Sequence, residues 1–281
     1  VMQSNAAVAP AVNAMCPLQQ LIGGSATATS TAIEDESILV LKGISKLITS
    51  YYDFSLEYKQ DLSRLQSSYF LPVSLRSLME TTAIGLLARI DPLRVLLSSK
   101  SQNSAAYNKA MPQAAALKWK GDVMGEAEKS SATPANSTAG AATKSLWDPS
   151  LSSSKLPRHL FSGQMCEAFW EPAAKNLANL PNAISSTWLA ELQSETPKDL
   201  IKKLIGEGNQ IYSELSKGIH PEFAVNRESE YDSPTLQTYL ERAFKWTSSL
   251  GLLSHCSASF STRLQFEHSL NHLKTIEEIA R

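Results

Sequence analysis

The residues best suited to chemistry in this chain are its histidines. His220 lies near the end of a stretch, TPKDLIKKLIGEGNQIYSELSKGIHPEF over 196–223, that reads as one capped helix stopped at Gly218. A histidine just past a helix C-terminus faces unpaired carbonyls that favour its charged form, and imidazole changes charge near neutral pH. His220 is therefore the candidate proton-transfer residue, with capping or packing as its plainer role. His268 and His272 stand four apart, on one face of a helix. That spacing suits two metal ligands, but a zinc site needs a third and usually a fourth. No partner stands near them in the sequence, so neither a metal nor a cofactor is expected. Arg263 and His268 have four residues between them, yet on a helix that offset turns the two side chains ~140° apart. His255 and Cys256 are adjacent, a poor chelating pair on one helix.

The cations offer a second kind of chemistry. Trp119 lies between Lys118 and Lys120, a unit able to stack on a base and pair with phosphate, or simply to pack. Arg89 and Arg94 flank Asp91-Pro92. With Arg76 and Glu80 they form either a structural ion-pair cluster or a small anion-binding notch at a new helix start, opposed by Asp91. Lys217 stands three residues before His220. Lys118, Trp119, Lys120, Arg89, Arg94 and Lys217 are the expected partner or nucleic-acid contacts. No GxxxxGK[ST] phosphate loop, GxGxxG, HExxH or GxSxG is present, which lowers the expectation of an enzyme.

These residues need elements to hold them. Leu41, Ile44, Ile48, Tyr51, Tyr58, Leu62 and Leu65 recur at spacings of three and four, interrupted at Ser55, so a long amphipathic helix is expected from 36 to 67, closed by Pro72. A second helix is expected over 73–90 and a third after the Asp91-Pro92 start, where Asp caps and Pro fits the first turn. Helical periodicity returns at 164–180, with Pro172 expected to kink or split it. A short helix near 185–193 precedes the 196–218 helix. There Thr196 caps, Pro197 takes the first position and Asp199 sits where a capping-box acid belongs. Gly206 and Gly208 interrupt that helix and imply close packing or a kink. Ser233-Pro234 opens another helix to about 256, with Leu236, Leu240, Ala243, Thr247 and Leu250 inward. The last is expected over 260–281. Residues 125–158 are small, polar and proline-punctuated, a composition of loop or linker.

The order Leu215-Ser216, Gly218, Ile219, His220, Pro221 at a helix end resembles HEPN-type helical domains. Those are compact helical bundles, often RNases of toxin and phage-defence systems, with an Arg–x(4–6)–His motif that meets its symmetry mate across a dimer. The resemblance covers about 25 residues and implies an RNase or toxin acting through His220, with Tyr212, Ser213 or Lys217 in support. At the spacing that motif requires, this chain has Ser213, Glu214 and Leu215 in place of arginine.

Composition bounds the rest. The chain has 281 residues, 43% hydrophobic and 19% charged, enough for a real core. Lys and Arg number 26 against 27 Asp and Glu, so no dominant field for nucleic acid or anionic membrane is expected. Three scattered cysteines form no CxxC, which suits a reducing, cytoplasmic setting. No run reaches the ~20 apolar residues of a membrane span, and the Ala/Val-rich start lacks the basic region of a signal peptide. The expectation is an all-α bundle of about six to eight helices with a long Ser/Ala/Pro-rich insertion. Residues 1–35 form a flexible or weakly helical arm, 36–100 the N-terminal helices, 101–163 the insertion and 164–281 the C-terminal part, with 36–100 and 164–281 sharing one core. The expected function is a helical interaction protein, an accessory or regulatory subunit of a larger assembly in a defence-type system. It would act through a protein partner or self-association, away from membranes. The alternatives are the HEPN-like RNase using His220 and a nucleic-acid-binding accessory protein.

Overall fold

Leu41, Ile44 and Ile48 point one stripe of a 24-residue helix, α2 (Glu36–Lys59), at the core. The chain then turns at Asp61, whose carboxylate accepts from the Ser63 backbone N–H at 3.2 Å, the Ser63 hydroxyl at 2.6 Å and Arg64 Nε at 2.9 Å. This turn stops α2 short of the expected position 67, and α3 runs over Leu65–Ile90 with Pro72 inside it. Proline removes one rung of the ladder there. The burial of Leu71, Leu75, Leu78 and Met79 around it keeps the helix going. α2 and α3 are antiparallel: the Ser55 and Ser74 hydroxyls meet at 3.1 Å, Tyr58 stacks on Phe70, and Gly85 lies against Ile44 and Ile48. Ser55 therefore continues the buried stripe, its hydroxyl also donating to Tyr51 O.

The computed structural model describes residues 16–27, 36–103, 160–180, 185–217 and 231–281, and these are helical with no strand. From Thr81 to Arg89 every residue of α3 is buried, the mark of a central helix. α4 (Pro92–Gln102) follows from the expected start, and Lys100 pairs with Glu36 at its far end. Leu160 and Phe161 are fully buried, so the second half of the core begins a few residues before 164. α5 (Gly163–Met165) passes through a π turn (Cys166–Trp170) into α6 (Glu171–Ala178). The split lies just before Pro172, whose ring and missing N–H oppose a regular α turn.

α7 (Thr187–Ser194) is capped by Ser186, and α8 (Pro197–Lys217) by Thr196, whose hydroxyl accepts from Asp199 N–H and donates to its carboxylate at 2.6 Å. α9 (Ser233–His255) takes its cap from Asp232, one residue before the expected Ser233, and is almost wholly buried over its second half. α10 (Phe266–Ala280) starts later than the expected 260. The intervening segment crosses over Gly24, whose φ of 62° and approach to Thr262 O exclude any side chain there.

The expected arm is corrected in part. Within it α1 (Pro17–Gly23) is a core helix with Leu18, Leu21 and Ile22 fully buried. Two glycines make its seat: added methyls at Gly85 on α3 and at Gly251 on α9 would come within 2.7 and 3.0 Å of Ile22 and Leu21. The buried apolar residues from Cys16 to Ala280, Met165 apart, belong to one cluster.

Candidate functional site

Of the contacts expected from sequence, His220, Lys118, Trp119 and Lys120 lie outside the described residues. Arg94 falls in the first turn of α4, and Lys217 ends α8, exposed. Arg89 is not at a surface notch. It is 1% exposed in the last turn of α3. Its guanidinium donates from Nε to Ser261 O at 2.9 Å and from Nη1 to Ile22 O at 3.2 Å and Ser254 Oγ at 2.5 Å. Its face lies 5.6 Å from the Phe260 ring. No carboxylate pairs with it among the described residues. The charge is instead met by carbonyls at the C-terminal ends of α1 and α9, the negative ends of those helices. Burial holds the group down to about 9, and the nearby Arg263 charge adds to that.

His255 completes this junction. Its Nε2 meets Leu21 O at 2.9 Å, while Nδ1 accepts from Leu264 N–H at 3.1 Å and faces Arg89 Nη2 at 3.4 Å. These partners assign a neutral ring protonated at Nε2. Burial first, then the Arg89 charge, push its titration down to about 3. The ring is a joint between helices, with no free lone pair for a metal. Among the described residues no group of three or more His, Cys, Asp or Glu could hold a metal ion. His272 is likewise lowered by burial and then by His268.

A second polar cluster joins α3 to α8. Arg76 pairs with Glu80 at 3.1 Å, donates to Tyr212 Oη at 2.5 Å and lies 4.4 Å over its ring. Tyr212 donates to Glu80 at 2.8 Å. Burial keeps the Glu80 carboxyl above its ordinary range against the pull of Tyr212 and Arg76. A third cluster latches α7 to α10: buried Glu277 accepts from the Ser186 hydroxyl at 2.5 Å, Thr187 N–H at 3.1 Å, the Thr187 hydroxyl at 2.5 Å and Arg281 at 2.6 Å. In each cluster the polar groups are spent on one another.

The surface also carries a set of large apolar side chains. Leu39, Leu47 and Phe54 stand about half exposed on α2, at 51, 51 and 50%. With Gly43, Lys46, Ser50, Asp53 and Glu57, all exposed, they span ~120° of the helix, opposite the buried stripe. Gly43 opens onto empty space. At the start of α3, Leu65, Tyr69, Phe70 and Val73 are exposed as well, and the Tyr58–Phe70 stack, centroids 5.8 Å apart, joins the two helices there. Sequence reading overlooked this face because it sought one stripe per helix. The spacing of 39, 47 and 54, by eight and then seven, was the signal for a second.

No family model, no characterised protein and no solved structure matches the chain. Among the described residues no helix is long and apolar enough to cross a membrane.

Proposed function

We propose that this protein is a helical interaction protein, an accessory or regulatory subunit of a larger assembly, whose contact face is the outward side of α2 with the start of α3. The carrying observation is the row of half-exposed Leu39, Leu47, Phe54 and Phe70 on two packed helices. An isolated exposed leucine needs no explanation, but a contiguous apolar row on a rigid hairpin marks a surface meant to be covered. The buried polar clusters support the same reading. Arg89, His255, Arg76, Glu80, Tyr212 and Glu277 are fully engaged in holding helices together, which suits a firm scaffold presenting a face.

In-cell photo-cross-linking tests the proposal. A photoreactive residue at Phe54 should give a discrete cross-linked protein band. The same residue at Lys202, exposed on α8 and ion-paired to Asp199, should give none. Equal yields at the two sites, or no product at Phe54, would overturn the assignment of this face.

A further inference from the structure

The α2 face is complementary to itself. Viewed along the helix at 100° per residue, Leu47 and Phe54 lie along one edge, Lys46 and Asp53 along the other, and Gly43 and Ser50 between them. These two small positions leave room for a close approach of backbones. Its N-terminal half carries Lys46 and its C-terminal half carries Asp53 and Glu57. None of the three makes a side-chain ion pair among the described residues, and all are exposed.

We infer that this face binds a second copy of the chain, with the two α2 helices antiparallel about a twofold axis passing at Ser50. In an antiparallel pair related by such an axis, each edge of one helix meets the same edge of its mate, and paired positions have a constant sum. Centring on Ser50 places Leu47 opposite Phe54, Lys46 opposite Asp53 and Gly43 opposite Glu57, with Ser50 facing its own copy. The three pairs have centres at 50.5, 49.5 and 50, and so agree on one centre to within half a residue. Shifting the centre one helical turn toward the N-terminus sets Lys46 against its own copy, and shifting it one turn toward the C-terminus carries Lys46 past the end of the partner's α2, so the charge match is lost either way. A parallel pairing sets Lys46 on Lys46 and Asp53 on Asp53, which is repulsive. At 24 residues, α2 is ~36 Å long. One helix face of that length falls short of the ~800 Å² each partner gives to a standard interface. The apolar start of α3 therefore has to widen the contact, and the dimer is reversible.

This inference rests on the contact-face reading, and one set of variants separates the two. The full chain, followed by sedimentation from ~1 to ~300 µM, should pass from monomer to dimer. K46E should weaken association by about tenfold or more, and so should the D53K/E57K double variant, since each leaves a face of one sign. Mixed together, those two variants should pair with each other at near the wild-type affinity. The triple variant K46E/D53K/E57K should dimerise again as a homodimer. These recoveries cannot come from misfolding. A wild-type chain that stays monomeric to ~300 µM, or single-sign variants that fail to recover on mixing, overturns the antiparallel self-pairing. If Phe54 then still cross-links to a protein other than this chain, the contact-face reading stands without it.

Discussion

At the scale of single residues, the buried Arg89, His255 and Glu277 act as joints between helices. Arg89 shows why that was hard to foresee. A charged residue beside Asp91-Pro92 reads as a surface group, because a buried cation demands compensation. Its compensation comes from Ile22, Ser254 and Ser261, 67, 165 and 172 positions away, and no local pattern shows carbonyls at that range. Gly208 was legible as a packing glycine; its reason was not. A methyl there would sit 2.7 Å from Trp246 Nε1, whereas one at Gly206 meets nothing within 4 Å. Gly206→Ala should therefore raise the thermal midpoint, by the helix propensity gain of up to ~1 kcal/mol. Gly208→Ala should lower it despite the same gain, because the rigid indole also donates to Leu204 O at 2.8 Å and cannot retreat freely. Scanning calorimetry of both variants checks the opposite signs. His255 carries a pH dependence. Unfolded, it titrates near 6.5; folded, it is held to about 3. Below pH 6.5 the unfolded chain takes up a proton that the native ring refuses. Its contribution is thus complete above pH 6.5 and drains away as pH falls toward 3. Urea unfolding should show wild type well above His255→Asn at pH 7, with the gap closing by pH 4.5. A gap that holds constant would contradict the neutral buried ring.

At the scale of elements, periodicity and caps carried most of the fold. α8 is nearly the helix read from Thr196, Pro197 and Asp199, and α4 begins at the Asp91-Pro92 signal as expected. The misses have local causes. Pro72 lies inside α3 because the break falls earlier, at the Asp61 turn, and a proline alone does not decide where a buried helix stops. α1 escaped notice because seven residues hold only two turns, too few to show a period. The join between α7 and α10 was also invisible, since Glu277 caps an element 90 residues before it. Burial pulls that carboxyl up, and the donors Ser186 and Thr187 with Arg281 pull it further down, so the balance favours its charged form. Glu277→Ala should cost about 2–4 kcal/mol, as four donors lose a charged acceptor. Glu277→Gln, which keeps one acceptor oxygen, should cost less. Hydrogen exchange should quicken first at the amides of α7. Uniform acceleration across all helices would show that the contact is not a local latch.

At the scale of the whole molecule, both halves of the sequence contribute to one apolar cluster. Tyr52 of α2 stacks on Phe244 of α9 at 4.9 Å, and Lys59 donates to Ile279 O at the end of α10. Three of the five tryptophans, Trp170, Trp188 and Trp246, are buried in the second half and dominate the change in fluorescence on unfolding, while far-UV circular dichroism reports every helix. The two signals should fall together in urea, and separated midpoints would mean that the halves unfold independently. The seat of α1 bears on how the chain is made. Its floor is Gly85, its far wall is Gly251, and its carbonyls close on Arg89 and on His255, the latter 234 positions downstream. A ribosome delivers α1 long before Gly251 and His255. While the residues between them are made, Leu18, Leu21 and Ile22 lack that second wall, and they are the segment a chaperone would be expected to hold until α9 emerges.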